Sequence, residues 1–127
     1  MKTAIITDTH FGARNDNIAF SRFFTKFYEN IFFPYLKEHN IKNLIHMGDV
    51  FDRRKFVNYK SLYDAKDMFF DPMAKNNIEC HMLVGNHDTF YKTTNEVNSP
   101  ALLLKEYSNI ITYSDPCELT YCDSTFL

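Results

Sequence analysis

The sequence predicts an α/β fold built on a parallel β-sheet, and three observations support this class. Short apolar runs alternate along the chain with longer stretches in which apolar residues recur at helical spacing. Each connection between successive runs is long enough for one helix, which favours right-handed crossovers and parallel strands. Each of the first three runs ends in a polar group containing Asp, Asn or His. Since such sheets bind ligands beyond the carboxyl ends of their strands, we expect the three groups at one edge.

The first strand and helix follow directly from the start of the chain. Residues 1–7 are short, apolar and β-branched, as expected for a buried strand. Asp16 or Asn17 can cap a helix that covers about residues 18–39. Pro34 should kink or restart this helix, because proline has no N–H to donate.

The same alternation continues to the end of the sequence. Residues 41–47 and 78–84 are predicted strands, and a helix is expected between them over about residues 58–75. Pro72 should end that helix early. The remaining predicted elements are a short helix over 100–107, a strand over 110–113, and a strand or hairpin over 118–127.

Composition restricts the setting in which the protein works. The 127 residues are 45% hydrophobic, enough for one compact domain, and the formal net charge of −2 gives no overall electrostatic attraction to nucleic acid. The three cysteines form no CxxC pair, which favours a reducing compartment. The first residues show no basic segment followed by a long apolar stretch, so we expect no secretory leader, and no apolar run approaches the roughly 20 residues of a membrane span. We therefore expect a cytoplasmic protein that does not contact a membrane.

The first polar group is Asp8-Thr9-His10, which follows the first strand. Both Asp8 and His10 can turn toward one cation where the backbone leaves the regular pleat. The alternative is a capping Asp beside an incidental His.

The second polar group begins at Gly48, whose missing side chain would let the backbone approach a metal or a phosphate closely. The carboxylate of Asp49 has two oxygens and can bridge two cations. Asp52 either caps the following helix or accepts a hydrogen bond from a ligand or from Arg53. Arg53 and Arg54 either form a solvated turn or contact a phosphate backbone.

The third polar group, Asn86-His87-Asp88, is the strongest local signal, although a turn with capping Asn and Asp is the alternative. The Asn86 oxygen is a neutral metal ligand, His87 is a candidate general acid or transition-state donor, and Asp88 can orient its imidazole. Taken together, the three groups predict a site for two divalent cations that clamp a phosphate and generate a hydroxide at neutral pH.

Other polar and aromatic residues have simpler explanations. His46 and His81 lie inside apolar strand runs and are expected to be hydrogen-bonded core residues. The aromatic residues of the second helix form either core or a partner-binding face: Phe56, Tyr59, Tyr63 and Phe70.

The stretches DTHFG, GDVFDRR and GNHD, in this order and spacing, resemble the first three motifs of the calcineurin-like metallophosphoesterases. Within that superfamily the chain is most similar to SbcD-type DNA repair nucleases and to tailed-phage recombination endonuclease subunits. The resemblance covers residues 1–119 and implies the N-terminal half of a layered α/β sandwich that starts βαβαβ.

The resemblance also implies a function. It indicates a two-metal nuclease, usually manganese-dependent with magnesium as the alternative, that hydrolyses phosphodiesters at DNA ends and in single strands during repair and recombination. Asp8 and His10 would bind the first metal, Asp49 would bridge both, and Asn86 would bind the second. His87 would assist catalysis. The partner would be an SbcC-type coiled-coil ATPase, with a homodimer contact expected at the second helix.

One departure from the family pattern limits these expectations. The family completes its metal shells with a later His and a Gly-His-x-His motif, whereas no histidine follows His87 here. We therefore interpret residues 1–127 as the N-terminal part of a single domain, truncated at its C-terminus and weakly active or inactive alone. The alternative functions are a phosphatase or cyclic-nucleotide phosphodiesterase with the same metal core, and a non-catalytic docking module.

Overall fold

A four-stranded parallel sheet forms the centre of the protein. The computed structural model describes residues 2–53, 55–85, 88–89, 98–121 and 124–126. The strands lie in the order β1-β2-β3-β4, so each strand pairs with its neighbour in the chain. A separate antiparallel hairpin, β5-β6, lies near the end of the chain. The strands are β1 (Thr3–Ile6), β2 (Asn43–His46), β3 (Glu79–Leu83), β4 (Ile110–Tyr113), β5 (Leu119–Tyr121) and β6 (Ser124–Phe126).

Two long helical regions connect the first three strands, and each contains a π-helical turn. The helical segments in chain order are α1 (Ile18–Phe27), a π-turn (Tyr28–Phe32), α2 (Phe33–Glu38), α3 (Tyr59–Ala65), a second π-turn (Lys66–Phe70), α4 (Asp71–Lys75) and α5 (Ser99–Leu103). The side chain of Asn17 caps α1 by accepting from the backbone N–H of Phe20, as one of the two predicted caps. The predicted α/β class and the predicted parallel sheet are thus confirmed.

The two prolines affect these helices differently from the prediction. The helix restarts at Pro34, as expected, but the prediction that Pro72 ends the second helix early is wrong, since α4 continues to Lys75. Each proline follows a π-turn and lies in the first turn of the next α-helical segment. The N–H before each proline donates to the carbonyl five residues earlier, Phe33 to Tyr28 and Asp71 to Lys66, so the wider π-turn accommodates a proline that has no N–H to donate.

The core lies between the sheet and the helices. Parallel strands in sequential order place right-handed crossovers on one face, and that face is closely packed. Leu44 and Met82 from the sheet and Phe69 from the second π-turn are among its fully buried side chains. On the opposite face Ile5 is 58% exposed. The helices therefore cover one face of the sheet, while on the other face Ile5 in the edge strand is exposed and its register partner Ile45 is buried.

The remaining predictions on the fold have clear outcomes. His46 and His81 are buried and hydrogen-bonded, so their assignment to the core is confirmed. The hairpin near the C-terminal end is confirmed. No helix among the described residues has both the length and the apolar character needed to cross a bilayer.

Candidate metal centre

Backbone hydrogen bonds join the loops that follow β1 and β2. The N–H of Asp8 donates to the carbonyl of Gly48 at 3.1 Å, and the N–H of His10 donates to the carbonyl of Asp49, also at 3.1 Å. These bonds extend the parallel pairing of the two strands beyond their ends. The first and second polar groups of the sequence are therefore brought together by the sheet itself, without a separate ligand.

Three predicted ligands meet at this edge of the sheet. One ligand atom from each of Asp8, His10 and Asp49 lies within 4.8 Å of the others. All three residues have a positive φ, at 54°, 43° and 55°. Left-handed backbone is uncommon outside glycine, although Asp and His tolerate it better than most residues. The left-handed backbone at these three neighbouring positions turns the side chains out of the strand direction and toward one point. Such a cluster of unusual backbone conformations is typical of a functional site.

The electrostatics of the three residues suit a cation. The Thr7 hydroxyl donates to Asp8 at 2.7 Å and, with the His10 imidazole, holds the pKa of the Asp8 carboxyl below its usual value. His10 Nε2 lies 3.1 Å from Asp8, while its Nδ1 lies 3.4 Å from a carboxylate oxygen of Asp52. A carboxylate behind a ligating histidine is the usual arrangement that orients the ring toward a metal.

The donor set fits a divalent cation. Two carboxylates and one imidazole, partly exposed and close together, match the ligand preference of manganese, magnesium or zinc. A second cation would need the expected bridge from Asp49 and further ligands. The predicted ligand Asn86 and the predicted catalytic His87 lie outside the described residues, as does Arg54. Their roles stay predictions.

Gly48 leaves room for the backbone of Gly85: a Cβ at Gly48 would lie 2.7 Å from the Gly85 nitrogen. The close approach of a metal or a phosphate to Gly48 stays a prediction. A Cβ at Gly85 would in turn lie 2.4 Å from Oδ1 of Asp49. The two glycines thus let the loops after β2 and β3 touch, and they set the position of the Asp49 carboxylate.

Asp88 holds these same two loops together. Its buried carboxylate accepts three backbone N–H bonds, all at 2.8 Å, from Asp49, Val50 and Gly85. Burial raises the pKa of Asp88, and the backbone donors oppose that shift. Its predicted role in orienting His87 stays a prediction. No sequence pattern indicated that Asp88 binds backbone N–H groups, beyond the general rule that a buried carboxylate must find donors.

His46 forms hydrogen bonds to the loop after β1 and to the loop after β2. Its Nδ1 accepts from the N–H of Gly48 at 3.1 Å, so the ring proton lies on Nε2 and is donated to Thr9 Oγ1 at 3.1 Å. The Thr9 hydroxyl donates onward to the carbonyl of Val50. Burial lowers the pKa of His46 to about 4, against the opposing effect of Asp8 and Asp49. His46 is therefore neutral at neutral pH and acts as a positioning residue.

The outcomes for Asp52 and Arg53 differ. The helix-capping alternative for Asp52 is wrong, because Asn58 caps α3. The other alternative was that Asp52 accepts a hydrogen bond from a metal ligand. The distance of 3.4 Å between an Asp52 carboxylate oxygen and Nδ1 of the predicted ligand His10 agrees with this alternative. The Arg53 guanidinium binds the Asp16 carboxylate at 2.6 Å. It therefore stabilises a left-handed turn, Ala13–Asp16, and contact with a phosphate backbone stays a prediction.

The fold and the site define the class of protein. The sequence model of the calcineurin-like phosphoesterases matches residues 1–123, and the chain belongs to that family. Members of this family use divalent metal ions, in agreement with the cluster of Asp8, His10 and Asp49. The predicted resemblance and the predicted N-terminal half of the family fold are both confirmed.

One similar protein narrows the comparison from the family to a particular kind of enzyme. The chain is 32% identical over 87 residues to exonuclease subunit 1 of Enterobacteria phage T4. The aligned part is 68% of this chain and 25% of the phage protein. The chain thus matches about a quarter of the length of that relative.

Proposed function

We propose that the chain is the N-terminal part of a metal-dependent DNA nuclease that hydrolyses phosphodiester bonds with two divalent cations, manganese in the first instance. The observation that carries the proposal is the convergence of Asp8, His10 and Asp49 on one point at the carboxyl edge of the sheet. Two bound cations would polarise the phosphoryl oxygens and supply hydroxide at neutral pH.

Each residue of the site has a distinct task in this proposal. Asp8 and His10 would hold the first cation, Asp49 would lie between both, and Asn86 would hold the second. Asp52 would keep the His10 ring in the ligating orientation. His87 would donate a proton to the leaving oxygen as the P–O bond breaks.

Two features support nucleic acid as the substrate rather than a small phosphate ester. The relative with 32% identity is named an exonuclease subunit. The second polar group is followed by the cationic run Arg53-Arg54-Lys55, which suits a polyanion. The word subunit in that relative's name also supports a partner protein, which we expect to be an SbcC-type ATPase.

The proposal is tested by expressing the complete reading frame that contains residues 1–127. The purified protein is given manganese and assayed on a labelled single-stranded oligonucleotide and on an aryl phosphate. We expect DNA cleavage that Asp49→Ala and His87→Ala abolish, while the exposed-site control Asp115→Asn leaves it unchanged. Cleavage is expected to be weak or absent with residues 1–127 alone, because the ligand set would be incomplete.

Two results would contradict the proposal. Turnover of the aryl phosphate without DNA cleavage would assign the site to a phosphatase. DNA cleavage that survives both Asp49→Ala and His87→Ala would mean that the reaction takes place elsewhere in the protein.

A further inference from the structure

Three consecutive residues of the left-handed turn Ala13–Asp16 adopt a backbone conformation that is rare outside glycine. Arg14, Asn15 and Asp16 have φ values of 54°, 58° and 59°. Asn and Asp tolerate left-handed backbone better than Arg does, and runs of such residues are unusual. Strain of this kind persists only where the surrounding structure holds it, and it concentrates at functional sites. We therefore expect this turn to place a side chain that the metal centre uses.

The turn is anchored between the metal centre and α3. At its start the N–H of Ala13 donates to the carbonyl of the predicted ligand His10 at 2.9 Å. At its end the Asp16 carboxylate accepts hydrogen bonds from the Arg53 guanidinium and from the Ser61 hydroxyl. These contacts come from parts of the chain on both sides of β2, so they fix the turn relative to the predicted ligands.

Arg14 supplies a positive charge at this turn. The residue is exposed, and within the part of the chain that the structure describes it forms no ion pair. Arg53 and Lys60, in contrast, are paired with Asp16 and Asp64. A guanidinium that forms no ion pair can donate to two oxygens of one phosphate at once. Arg14 is therefore available for an anionic ligand.

An aromatic ring holds the Arg14 guanidinium close to the metal centre. The guanidinium carbon lies 5.2 Å from the centroid of Phe20, and the ring centroids of Phe20 and Phe24 are 4.9 Å apart. Phe20, Gly12 and the predicted ligand His10 line the same cavity. A cation–π contact holds the charge without neutralising it. Arg14 therefore presents a positive charge next to a cavity that the metal centre shares.

We propose that Arg14 binds a phosphate of the DNA substrate that neighbours the cleaved bond. The inference rests on the proposed nuclease function and names a residue that positions the substrate. The two predicted cations would clamp the phosphate that is attacked. One clamp alone leaves the strand free to pivot, whereas a second contact on a neighbouring phosphate fixes its direction and register. The left-handed turn supplies this second contact because Ala13, the residue beside Arg14, is hydrogen-bonded to His10.

DNA binding in EDTA tests Arg14 separately from cleavage. The full chain is titrated against a fluorescent DNA strand at several salt concentrations, with anisotropy as the readout. Arg14→Gln keeps most of the side-chain length and should weaken binding about tenfold, because a charged contact is lost. The slope of log affinity against log salt should also become shallower by about 0.7. Arg14→Lys should retain that slope but lose part of the affinity, since an ammonium group cannot bind a phosphate through a planar fork.

Lys26→Gln is the matched control, because it removes one positive charge from an exposed position in the last turn of α1. Its affinity and salt slope should match those of the wild-type protein. Manganese affinity measured without DNA should be the same for Arg14→Gln and the wild-type protein.

Three results would overturn the inference. Unchanged DNA affinity of Arg14→Gln would show that Arg14 does not contact the strand. Equal losses in Arg14→Gln and Lys26→Gln would mean that only the overall charge matters. Weaker manganese binding by Arg14→Gln would mean that the side chain merely supports the loop of His10. A wild-type protein that binds DNA through Arg14 but does not cleave it with manganese would count against the proposed nuclease function alone.

Discussion

Substitution of Asp88 by Asn tests whether this carboxylate stabilises the loops of the metal centre. Its Oδ2 accepts from Asp49 and Gly85, and its Oδ1 accepts from Val50. The Asn amide has only one acceptor oxygen, so at least one backbone N–H would face an NH₂ group instead.

The magnitude follows from the number and type of these bonds. A hydrogen bond to a charged acceptor contributes about 1.5–3 kcal/mol, whereas a neutral one contributes about 0.5–1.5 kcal/mol. Asp88→Asn loses one hydrogen bond and weakens the two others. It also removes the cost of burying a charge, the same burial that raises the pKa of Asp88. We expect the free energy of unfolding to fall by about 2 kcal/mol.

Urea unfolding at pH 7, followed by circular dichroism, measures this change. The exposed Asp115 provides the control, and Asp115→Asn should alter the free energy of unfolding by less than about 0.5 kcal/mol. Asp88→Asn should also weaken manganese binding, because the Asp49 backbone is no longer held. An Asp88→Asn protein as stable as the wild type would refute this reasoning, since burial of the charge would then outweigh all three hydrogen bonds.

Two further predictions concern the positioning residues. The pKa of His46 is about 4 in the folded protein and 6.5 as the reference value, so the unfolded state alone takes up a proton between these values and stability falls as pH falls through them. Between pH 7 and pH 5, the free energy of unfolding measured with urea should fall by about 2 kcal/mol more for the wild-type protein than for His46→Gln. Equal decreases would show that His46 does not cause this pH dependence of stability. Gly85→Ala would place a Cβ 2.3 Å from the Asp49 nitrogen, so we expect destabilisation by about 1–3 kcal/mol. The affinity of Gly85→Ala for manganese, measured by calorimetry, should fall about 10-fold to 100-fold. An unchanged affinity would contradict the role of the Gly85–Asp49 contact in positioning the ligand.

The sequence was sufficient to predict the elements and the edge of the sheet that carries the site. Apolar periodicity located the four parallel strands, and the rule on strand ends placed Asp8 and Asp49 together. The consequence of Pro72 could not be predicted, because a π-turn depends on how the helix packs rather than on a local pattern. Two of the backbone donors to Asp88, the N–H groups of Asp49 and Val50, could not be predicted either, since these residues are distant from Asp88 in sequence.

The roles of the two glycines also required coordinates. Gly48 and Gly85 are 37 positions apart, and only the parallel pairing of β2 with β3 brings their backbones into contact. Likewise, Arg53 could be recognised as a cation near the site, but its bond to Asp16 depends on a left-handed turn that no sequence pattern indicated.

Manganese titration of the purified chain, with free ion measured from its six-line electron paramagnetic resonance signal, tests the metal centre most directly. The wild-type chain should remove manganese from solution, and Asp49→Asn and His10→Ala should each weaken that binding at least about tenfold. Identical titration curves for the wild-type chain and both variants would show that these side chains do not bind the ion.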